Sequence, residues 1–212
     1  MWKGKEKKEL KNIEDEQEIK DRFCKDLSFG TGGIRGIVSL GTNRINKYTI
    51  AKATQGLANY LMHNFKDKPL SVAIAYDCRN DSLDFAKIAS EVLCSQDIKV
   101  YIFSDMMCTP ILSYAVRELK CKGGIVITAS HNSKEYNGYK VYNHNGNQIT
   151  DREAEKIAEC IGKVEDLSSI KYMDISDAKE KDLYKFIPIE VLNKYFYNVK
   201  NLILKKRYYK EL

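Results

Sequence analysis

The sequence predicts an α/β protein, a three-layer α/β/α sandwich built on a mostly parallel mixed sheet. Two observations carry this prediction. Short segments rich in β-branched residues alternate along the chain with helical patterns of ten or more residues, which is typical of βαβ units. Some of these short segments are almost entirely apolar, as in Ile125-Val126-Ile127-Thr128, and such strands are usually covered by helices on both faces.

The predicted helices rest on apolar residues that recur every three or four positions. The recurring residues are Ile13, Ile19 and Phe23 in a helix over 13–26, Ile50, Leu57 and Leu61 in a helix over 48–65, and Phe85, Ala89 and Val92 in a helix over 82–95. Pro110 begins a further helix, because proline is favourable in a first turn. A polar helix is expected over 151–162.

The predicted strands are the β-rich segments between these helices. They cover residues 71–76, 98–103, 125–128 and 138–142. Residues 28–36 contain four glycines, a composition that disfavours a helix and predicts a loop. The chain is expected to become extended again from Ile37.

The helices and strands suggest a first domain over residues 1–165. Residues 166–186 are polar and weakly patterned, so we predict a linker there. A new apolar helical pattern over 187–204 then predicts the opening helix of an incomplete second domain, 187–212. A helix with an apolar face and no following domain to cover it predicts self-association.

Composition and charge exclude several classes of protein. The chain has 212 residues, of which 43% are hydrophobic and 30% charged, as in ordinary globular proteins. It has no run of about 18 uncharged apolar residues, and its Lys- and Glu-rich start does not resemble a signal peptide. The net charge is +6, and residues 205–212 supply half of it through four cations and one acid. We interpret this end as a solvated tail and expect neither nucleic acid nor membrane as a partner.

The six cysteines indicate a compartment rather than a site. They lie at positions 24, 78, 94, 108, 121 and 160, with neither CxxC nor zinc-ligand spacing. Several fall within apolar segments. We therefore interpret them as buried free thiols, which predicts a cytoplasmic protein.

Polar side chains follow three of the predicted strands, where parallel sheets usually bind ligands. These segments are Asp77-Cys78-Arg79-Asn80, Ser104-Asp105, and Ala129-Ser130-His131-Asn132-Ser133 with Tyr136-Asn137-Gly138-Tyr139-Lys140 after it. Ser130 comes directly after a buried strand. A hydrolase serine is disfavoured, because the motif G-x-S-x-G is absent and His131 is adjacent to the serine in sequence. From composition alone, Ser130 could equally be an ordinary turn residue.

The glycine-rich segment Gly30-Thr31-Gly32-Gly33-Ile34-Arg35-Gly36 is a candidate phosphate site. It lacks the closing Gly-Lys-Ser/Thr of a Walker A loop and does not match G-x-G-x-x-G. Bare backbone amides and one guanidinium nevertheless suit a phosphate. The alternative is an ordinary glycine-rich turn.

Taken together, these segments resemble the α-D-phosphohexomutase superfamily, in its phosphoglucomutase branch. Thr128-Ala129-Ser130-His131-Asn132 resembles the family's phosphoserine loop. Phe29 to Gly36, continued by Gly41 to Asn46, resembles its first loop, and Tyr136 to Tyr142 resembles the segment after the phosphoserine. The resemblance covers roughly residues 20–160 and implies the fold of phosphohexomutase domain I.

The resemblance implies a role for each matching residue. Ser130 would be the serine that gives its phosphoryl group to the sugar and later takes one back, and its phosphate would complete a Mg²⁺ site. Lys140 would be the general base or acid, Arg35 would support the charge of the phosphoryl group, and His131 would bind a substrate oxygen. Further substrate or phosphate contacts are expected from Thr31, Gly32, Asn132 and Asn137.

The implied activity is interconversion of glucose 1-phosphate and glucose 6-phosphate through a sugar bisphosphate, with Mg²⁺ as cofactor and a hexose phosphate as partner. Ser133 stands where the family usually has proline, so a looser loop is expected. The family's loops for metal, sugar and phosphate in later domains have no counterpart in these residues. The alternative is therefore a truncated, inactive α/β fragment or a sugar-phosphate-binding module, and we expect the isolated chain to be inactive.

Overall fold

A computed structural model describes residues 4–66 and 69–203. The strands are β1 (Ile34–Ile37), β2 (Ser71–Tyr76), β3 (Lys99–Ile102), β4 (Gly123–Ile127), β5 (Tyr136–Asn143) and β6 (Tyr184–Phe186). The helices are α1 (Lys5–Lys11), α2 (Glu16–Phe23), α3 (Lys47–Asn64), α4 (Ser82–Ser95), α5 (Thr109–Glu118), α6 (Asp151–Gly162), α7 (Ile175–Glu180) and α8 (Ile189–Asn201), with a 3₁₀ turn at Leu167–Ser169.

The strands form one mixed sheet in the order β1-β5-β4-β2-β3-β6. The pairs β4–β2, β2–β3 and β3–β6 are parallel, whereas β5 runs antiparallel to both of its neighbours, β1 and β4. The connection between β4 and β5 is consequently a short return at the carboxyl end of β4. This return carries Ser130.

Helices cover both faces of the sheet, which confirms the predicted α/β/α sandwich. On one face α3 packs against α4 and α6, and this layer encloses a core that includes Leu57, Ile74 and Ile127. On the other face α5 packs on β2 and β4 and is itself contacted by α8. Val126 belongs to this second core, so successive residues of β4 alternate between the two faces.

Local signals explain where several helices begin. Asn46 and Thr49 form a reciprocal capping box at the start of α3, and Thr150 and Glu153 form another at the start of α6. Pro110 lies in the first turn of α5, as predicted. Helices α4 and α6 coincide with the predicted segments 82–95 and 151–162.

Two segments differ from the sequence predictions. The helix expected over 13–26 is the shorter α2, and a separate helix that was not predicted, α1, precedes it. The glycine-rich segment 28–36 is a loop only in its first part, because β1 begins at Ile34 and pairs with β5. Arg35 therefore lies on a strand rather than in the loop.

The structure also differs from the expected linker over 166–186. This segment contains the 3₁₀ turn, α7 and β6, and β6 extends the sheet by pairing in parallel with β3. Its buried apolar residues are Ile170, Ala178 and Tyr184, and Leu167, Met173, Ile175 and Leu183 pack beside them half-buried. Because these apolar residues are separated by polar ones and form no continuous helical or alternating pattern, the sequence predicts a linker.

Helix α8 follows and packs on α5 through one face only. Val191 is buried, with Leu192 and Tyr195 half-buried beside it. Phe196, Tyr197 and Leu202 are more than half exposed, at 56%, 67% and 76%. That α8 opens a second domain, or mediates self-association, stays a prediction, and the basic tail at 205–212 lies outside the described residues.

All six cysteines are free, but burial was predicted for more of them than the structure shows. Cys94 and Cys121 are buried and Cys160 is half-buried, whereas Cys24, Cys78 and Cys108 are exposed. The last two sit in loops at the ends of β2 and β3. Within the described ranges, no helix has both the length and the apolar character needed to cross a membrane.

Candidate active site

The candidate site is built around the return between β4 and β5. Strand β4 is buried along its whole length, and Ser130 is exposed three residues after its end. The Ser130 backbone is left-handed, with φ of +58°. Its N–H donates to Thr128 Oγ1 at 2.9 Å, and the N–H of Asn132 donates to the Ala129 carbonyl at 3.2 Å. The loop thus presents the serine hydroxyl outward from the end of a rigid strand.

Arg35 and Lys140 lie on neighbouring strands beside this loop. Arg35 pairs with Gly138, so Arg35 and Lys140 share one face of the sheet as diagonal neighbours. Arg35 Nη1 donates to Asn132 Oδ1 at 2.8 Å, which ties the guanidinium to the serine loop. The backbones on either side of β5 come close to residue 138 because it is glycine. A Cβ there would meet the Thr128 and Ile34 carbonyl oxygens at 2.7 and 2.8 Å.

The environment of Lys140 shifts its pKa in the direction that a lysine base would need. Burial, and secondly the positive charge of Arg35, lower the pKa of Lys140 below its ordinary value. A lower pKa increases the neutral fraction of the amine near neutral pH, and only the neutral amine can accept a proton. The sequence alone could not establish this condition.

His131 and Asn132 complete the exposed rim of the loop. His131 Nδ1 lies 3.4 Å from Ser130 Oγ, and the imidazole is exposed. Asn132 is half-buried, and its carboxamide oxygen accepts from Arg35 as described above. An open hollow beside the serine is lined by Asp77, Cys78, Arg79, Asn80, Ser130, Asn132 and Lys134.

The glycine-rich turn is adjacent to Lys140. Gly30 and Gly33 exchange two backbone hydrogen bonds, of 3.1 and 2.8 Å. Gly33 has φ of +76°, and a Cβ there would lie 1.9 Å from the Tyr139 carbonyl oxygen. The Thr31 carbonyl accepts from Gln148 Nε2 at 2.6 Å, while Gly32 is exposed. The turn tip is therefore open, and its base is pressed against β5.

Asn137 does not occupy the position expected of a ligand-binding residue. Its side chain is fully buried, and its Nδ2 donates to the Asn80 carbonyl at 3.1 Å and to Ser82 Oγ at 2.9 Å. Its Oδ1 accepts from the Gly138 N–H at 2.8 Å. These bonds join β5 to the start of α4, so Asn137 supports the site from below and is not presented to a substrate.

Polar residues also follow β2 and β3, and only those after β2 reach the site. Arg79, after β2, reaches the serine loop and hydrogen-bonds its backbone carbonyls. Sequence reasoning noted Arg79 but assigned it no role; its position after a neighbouring parallel strand was the signal. After β3, the Ser104 hydroxyl donates to Asp105 at 2.9 Å, and this pair stays within its own loop.

The described residues do not by themselves fit a Mg²⁺ site. They contain no group of three histidine, cysteine, aspartate or glutamate side chains that could hold a metal. The side chains that line the hollow beside Ser130 are cationic or neutral, except for Asp77, which is paired with Arg79. Mg²⁺ therefore stays a prediction of the resemblance.

The fold and this cluster define an α/β/α domain in which the loop of an exposed serine is bonded to an arginine that has a lysine as its neighbour. Comparison with known proteins agrees. Residues 26–168 match the family described as "Phosphoglucomutase/phosphomannomutase, alpha/beta/alpha domain I". This match covers most of the sequence, and the chain belongs to that family.

Curated relatives support the assignment. The chain is 39% identical over 196 residues to a phosphoglucomutase from Staphylococcus epidermidis, covering 92% of this chain and 35% of the relative. It is 42% identical over 187 residues to a phosphoglucomutase from Staphylococcus aureus, covering 88% and 33%. The chain therefore spans about a third of the length of these relatives.

Solved structures agree in fold. A putative phosphomannomutase from Thermus thermophilus superposes with a TM-score of 0.69 at 25% identity, covering 84% of this chain and 36% of that one. The phosphoglucomutase parafusin from Paramecium superposes with a TM-score of 0.63 at 20% identity, over 84% and 36%.

Proposed function

We propose that this chain forms the phosphoserine-bearing part of a phosphoglucomutase-like enzyme. The proposed reaction interconverts glucose 1-phosphate and glucose 6-phosphate through a sugar bisphosphate. Membership of the domain I family and 39–42% identity to proteins named phosphoglucomutase support it. The observation that carries it is that Arg35 bonds Asn132 of the Ser130 loop and also interacts electrostatically with Lys140 on the neighbouring strand.

The chemistry proposed for the cluster is phosphoryl exchange at Ser130 Oγ. When Ser130 carries the phosphate, a sugar hydroxyl attacks phosphorus, the bond from phosphorus to Oγ breaks, and the phosphoryl group passes to the sugar. The neutral amine of Lys140, which its lowered pKa makes more abundant, accepts the proton of the attacking hydroxyl, and the departing Oγ takes up a proton to restore the serine hydroxyl. The Arg35 guanidinium balances the negative charge of the transferring group. The reverse transfer, from the other end of the bisphosphate, restores the phosphoserine.

The remaining predicted contacts surround this centre. His131 would donate to a phosphate or substrate oxygen, since it lies within reach of Ser130 Oγ. The open tip formed by Thr31 and Gly32, together with Asn132, would contact the substrate phosphate. A sugar bisphosphate as activator and a cytoplasmic location stay predictions.

A second candidate is binding of a sugar phosphate without turnover. It needs only the open hollow beside Ser130 and the exposed tip of the glycine-rich turn, which could contact a phosphate. The two candidates differ in what the isolated chain does. We expect the 212 residues alone to show no mutase turnover, and a robust rate abolished by Ser130→Ala would contradict this.

A chimera tests the proposed activity. Residues 1–212 replace the matching part of the Staphylococcus epidermidis phosphoglucomutase, and conversion of glucose 1-phosphate is measured. We expect activity in the chimera and its loss, by at least about a thousandfold, with Ser130→Ala, because the transferring oxygen is removed. Ser133→Ala, in the same loop, is the matched control and should retain activity. A folded chimera in which Ser130→Ala is as active as its parent would refute the proposal.

A further inference from the structure

Arg79 is the most completely hydrogen-bonded charged side chain near the site. The side chain is only 12% exposed. Nη1 and Nη2 each donate to two backbone carbonyls, and Nε lies 3.3 Å from Asp77 Oδ2. The four accepting carbonyls are those of Ser133 and Tyr136, at 2.8 and 3.0 Å, and of Ser130 and Asn132, at 2.8 and 2.6 Å. The four Nη N–H groups thus have carbonyl acceptors, and Nε forms an ion pair with Asp77.

Asp77 fixes this guanidinium to the sheet. Its Oδ1 accepts from the Arg79 backbone N–H at 3.0 Å and from Ser82 Oγ at 2.7 Å. Asp77 itself follows β2 directly, and its N–H donates to the Ile127 carbonyl at the end of β4. The guanidinium is therefore held by two adjacent central strands and by the start of α4.

The carbonyls that converge on Arg79 come from the whole serine loop. Without a cation between them, the partial negative charges of these carbonyl oxygens would repel one another. Each carbonyl would also lose its hydrogen-bond donor. The left-handed backbone of Ser130 adds about 1–2 kcal/mol of strain, which the surroundings must offset. A rotation of this peptide segment would move the Ser130 hydroxyl relative to Asn132, whose side chain is bonded to Arg35.

We propose that Arg79 is a positioning residue for phosphoryl transfer at Ser130. Its guanidinium holds the loop through backbone carbonyls and keeps Ser130 in its left-handed conformation, without touching the phosphoryl group. This inference rests on the proposed function for the transfer itself. The effect on the loop does not depend on that function.

Hydrogen exchange of the 212-residue chain tests the loop. With Arg79→Gln, we expect the backbone amides of residues 130–136 to exchange at least about tenfold faster, because hydrogen bonds to a charged group are lost. Amides of β4 should keep their protection. Arg117→Gln is the matched control, since Arg117 also donates to a carbonyl, that of Ser113, but on α5. Unchanged loop exchange in Arg79→Gln, or equal loss of protection across β4, would overturn the proposal.

Chemical rescue extends the test. Arg79→Ala leaves a space lined by four carbonyls and one carboxylate, which fits a free guanidinium ion. Guanidinium at concentrations well below denaturing ones should restore slow exchange to residues 130–136, whereas the same concentration of ammonium should not. If Arg79→Ala does not fold, Arg79→Lys provides the comparison, and it should protect the loop only partly because it cannot donate to all four carbonyls. Full protection of the loop by lysine would contradict the proposal.

Kinetics of the chimeric enzyme separate positioning from simple stability. Arg79→Lys is expected to lower kcat at least about tenfold with little change in KM, because Oγ is misplaced in the transition state. The pH dependence of kcat should be unchanged, since Lys140 keeps its neighbours. A changed KM with unchanged kcat would overturn the positioning role. If the parent chimera is inactive and Ser130 is never phosphorylated, the proposed function fails, while the exchange experiment still decides whether Arg79 holds the loop.

Discussion

Two loops border the candidate site, and they reach a left-handed backbone by different means. In the glycine-rich turn, the left-handed residue is Gly33, which has no side chain and meets the Tyr139 carbonyl directly. In the serine loop it is Ser130, which carries a side chain in the same region of φ. The first turn is held by its own backbone bonds, between Gly30 and Gly33. The second depends on side chains, Thr128 from within and Arg79 from the loop after β2.

The difference shows what a reactive side chain requires of its loop. Glycine adopts a left-handed conformation at little cost, but it offers no group for chemistry. A serine at such a position is strained, so the surrounding residues must supply the hydrogen bonds that keep it there. We therefore expect changes in the first loop to act through sterics, and changes in the second through hydrogen bonding.

The largest expected effect is in the glycine-rich turn. Gly33→Ala should destabilise the fold by about 3 kcal/mol or more, because the new Cβ overlaps the Tyr139 carbonyl and φ is positive. Gly32→Ala is the control: a Cβ there has nothing within 4 Å, and we expect a change within about 0.5 kcal/mol. Urea unfolding measures both. Similar stabilities for the two variants would show that the turn is not pressed against β5.

The next effect concerns the internal support of the serine loop. Thr128→Val removes the acceptor of the Ser130 N–H, and we expect a loss of about 1–2 kcal/mol in the free energy of unfolding. Thr128→Ser retains the hydroxyl and should lose less. Urea unfolding should give a lower free energy of unfolding for Thr128→Val than for Thr128→Ser. Equal values for the two variants would contradict the prediction.

A smaller effect should distinguish the two replacements of Ser130 itself. Ser130→Gly is expected to be more stable than Ser130→Ala by about 0.5–1 kcal/mol, since relief of left-handed strain exceeds the added freedom of glycine in the unfolded chain. Thermal unfolding of both proteins gives the comparison. Equal midpoints would mean that the loop relaxes around an alanine and that Ser130 is not held under strain.

The smallest expected effect is electrostatic. Arg35→Gln removes the positive charge that helps to lower the pKa of Lys140, so that pKa should rise while remaining below its ordinary value, because burial persists. The pH dependence of Lys140 acetylation reports it, with Arg117→Gln as control. The difference in Lys140 pKa between the parent and Arg35→Gln should become smaller at high salt, since Arg35 is exposed and its charge is screened. An unchanged pKa of Lys140 in Arg35→Gln would show that the charge of Arg35 does not influence Lys140.

The same pKa has a consequence for stability. Because folding lowers the pKa of Lys140, the unfolded chain binds its proton more tightly than the folded chain does. Stability should therefore rise with pH through the interval between the lowered and the ordinary pKa. Lys140→Met should flatten this rise in urea unfolding measured at increasing pH. If the free energy of unfolding of Lys140→Met rises with pH as steeply as that of the parent, other groups cause the rise.

Local signals were enough to predict most of the fold. Helix α4 and strand β2 were predicted at their observed bounds, because each has a strong apolar pattern of its own. Strand β6 could not be predicted in the same way, since it has three residues and is fixed by pairing with β3 across the sheet. Long-range pairing of this kind leaves no period in the sequence.

The site shows the same division. Ser130 and its neighbours were found from motifs, which are local. The burial of Asn137 and the contacts of Arg79 were not foreseen, because they join residues more than 50 positions apart. The lowered pKa of Lys140 likewise arises from packing and from a charge on another strand.

The central claim is that Ser130 carries the phosphoryl group, and mapping of that group tests it most directly. The chimeric enzyme is incubated with glucose 1,6-bisphosphate, digested and analysed by mass spectrometry. The account predicts a single phosphate on the peptide that contains Ser130, and none on that peptide in Ser130→Ala. Phosphate found on another residue, or a folded and active enzyme without any phosphate on Ser130, would contradict it.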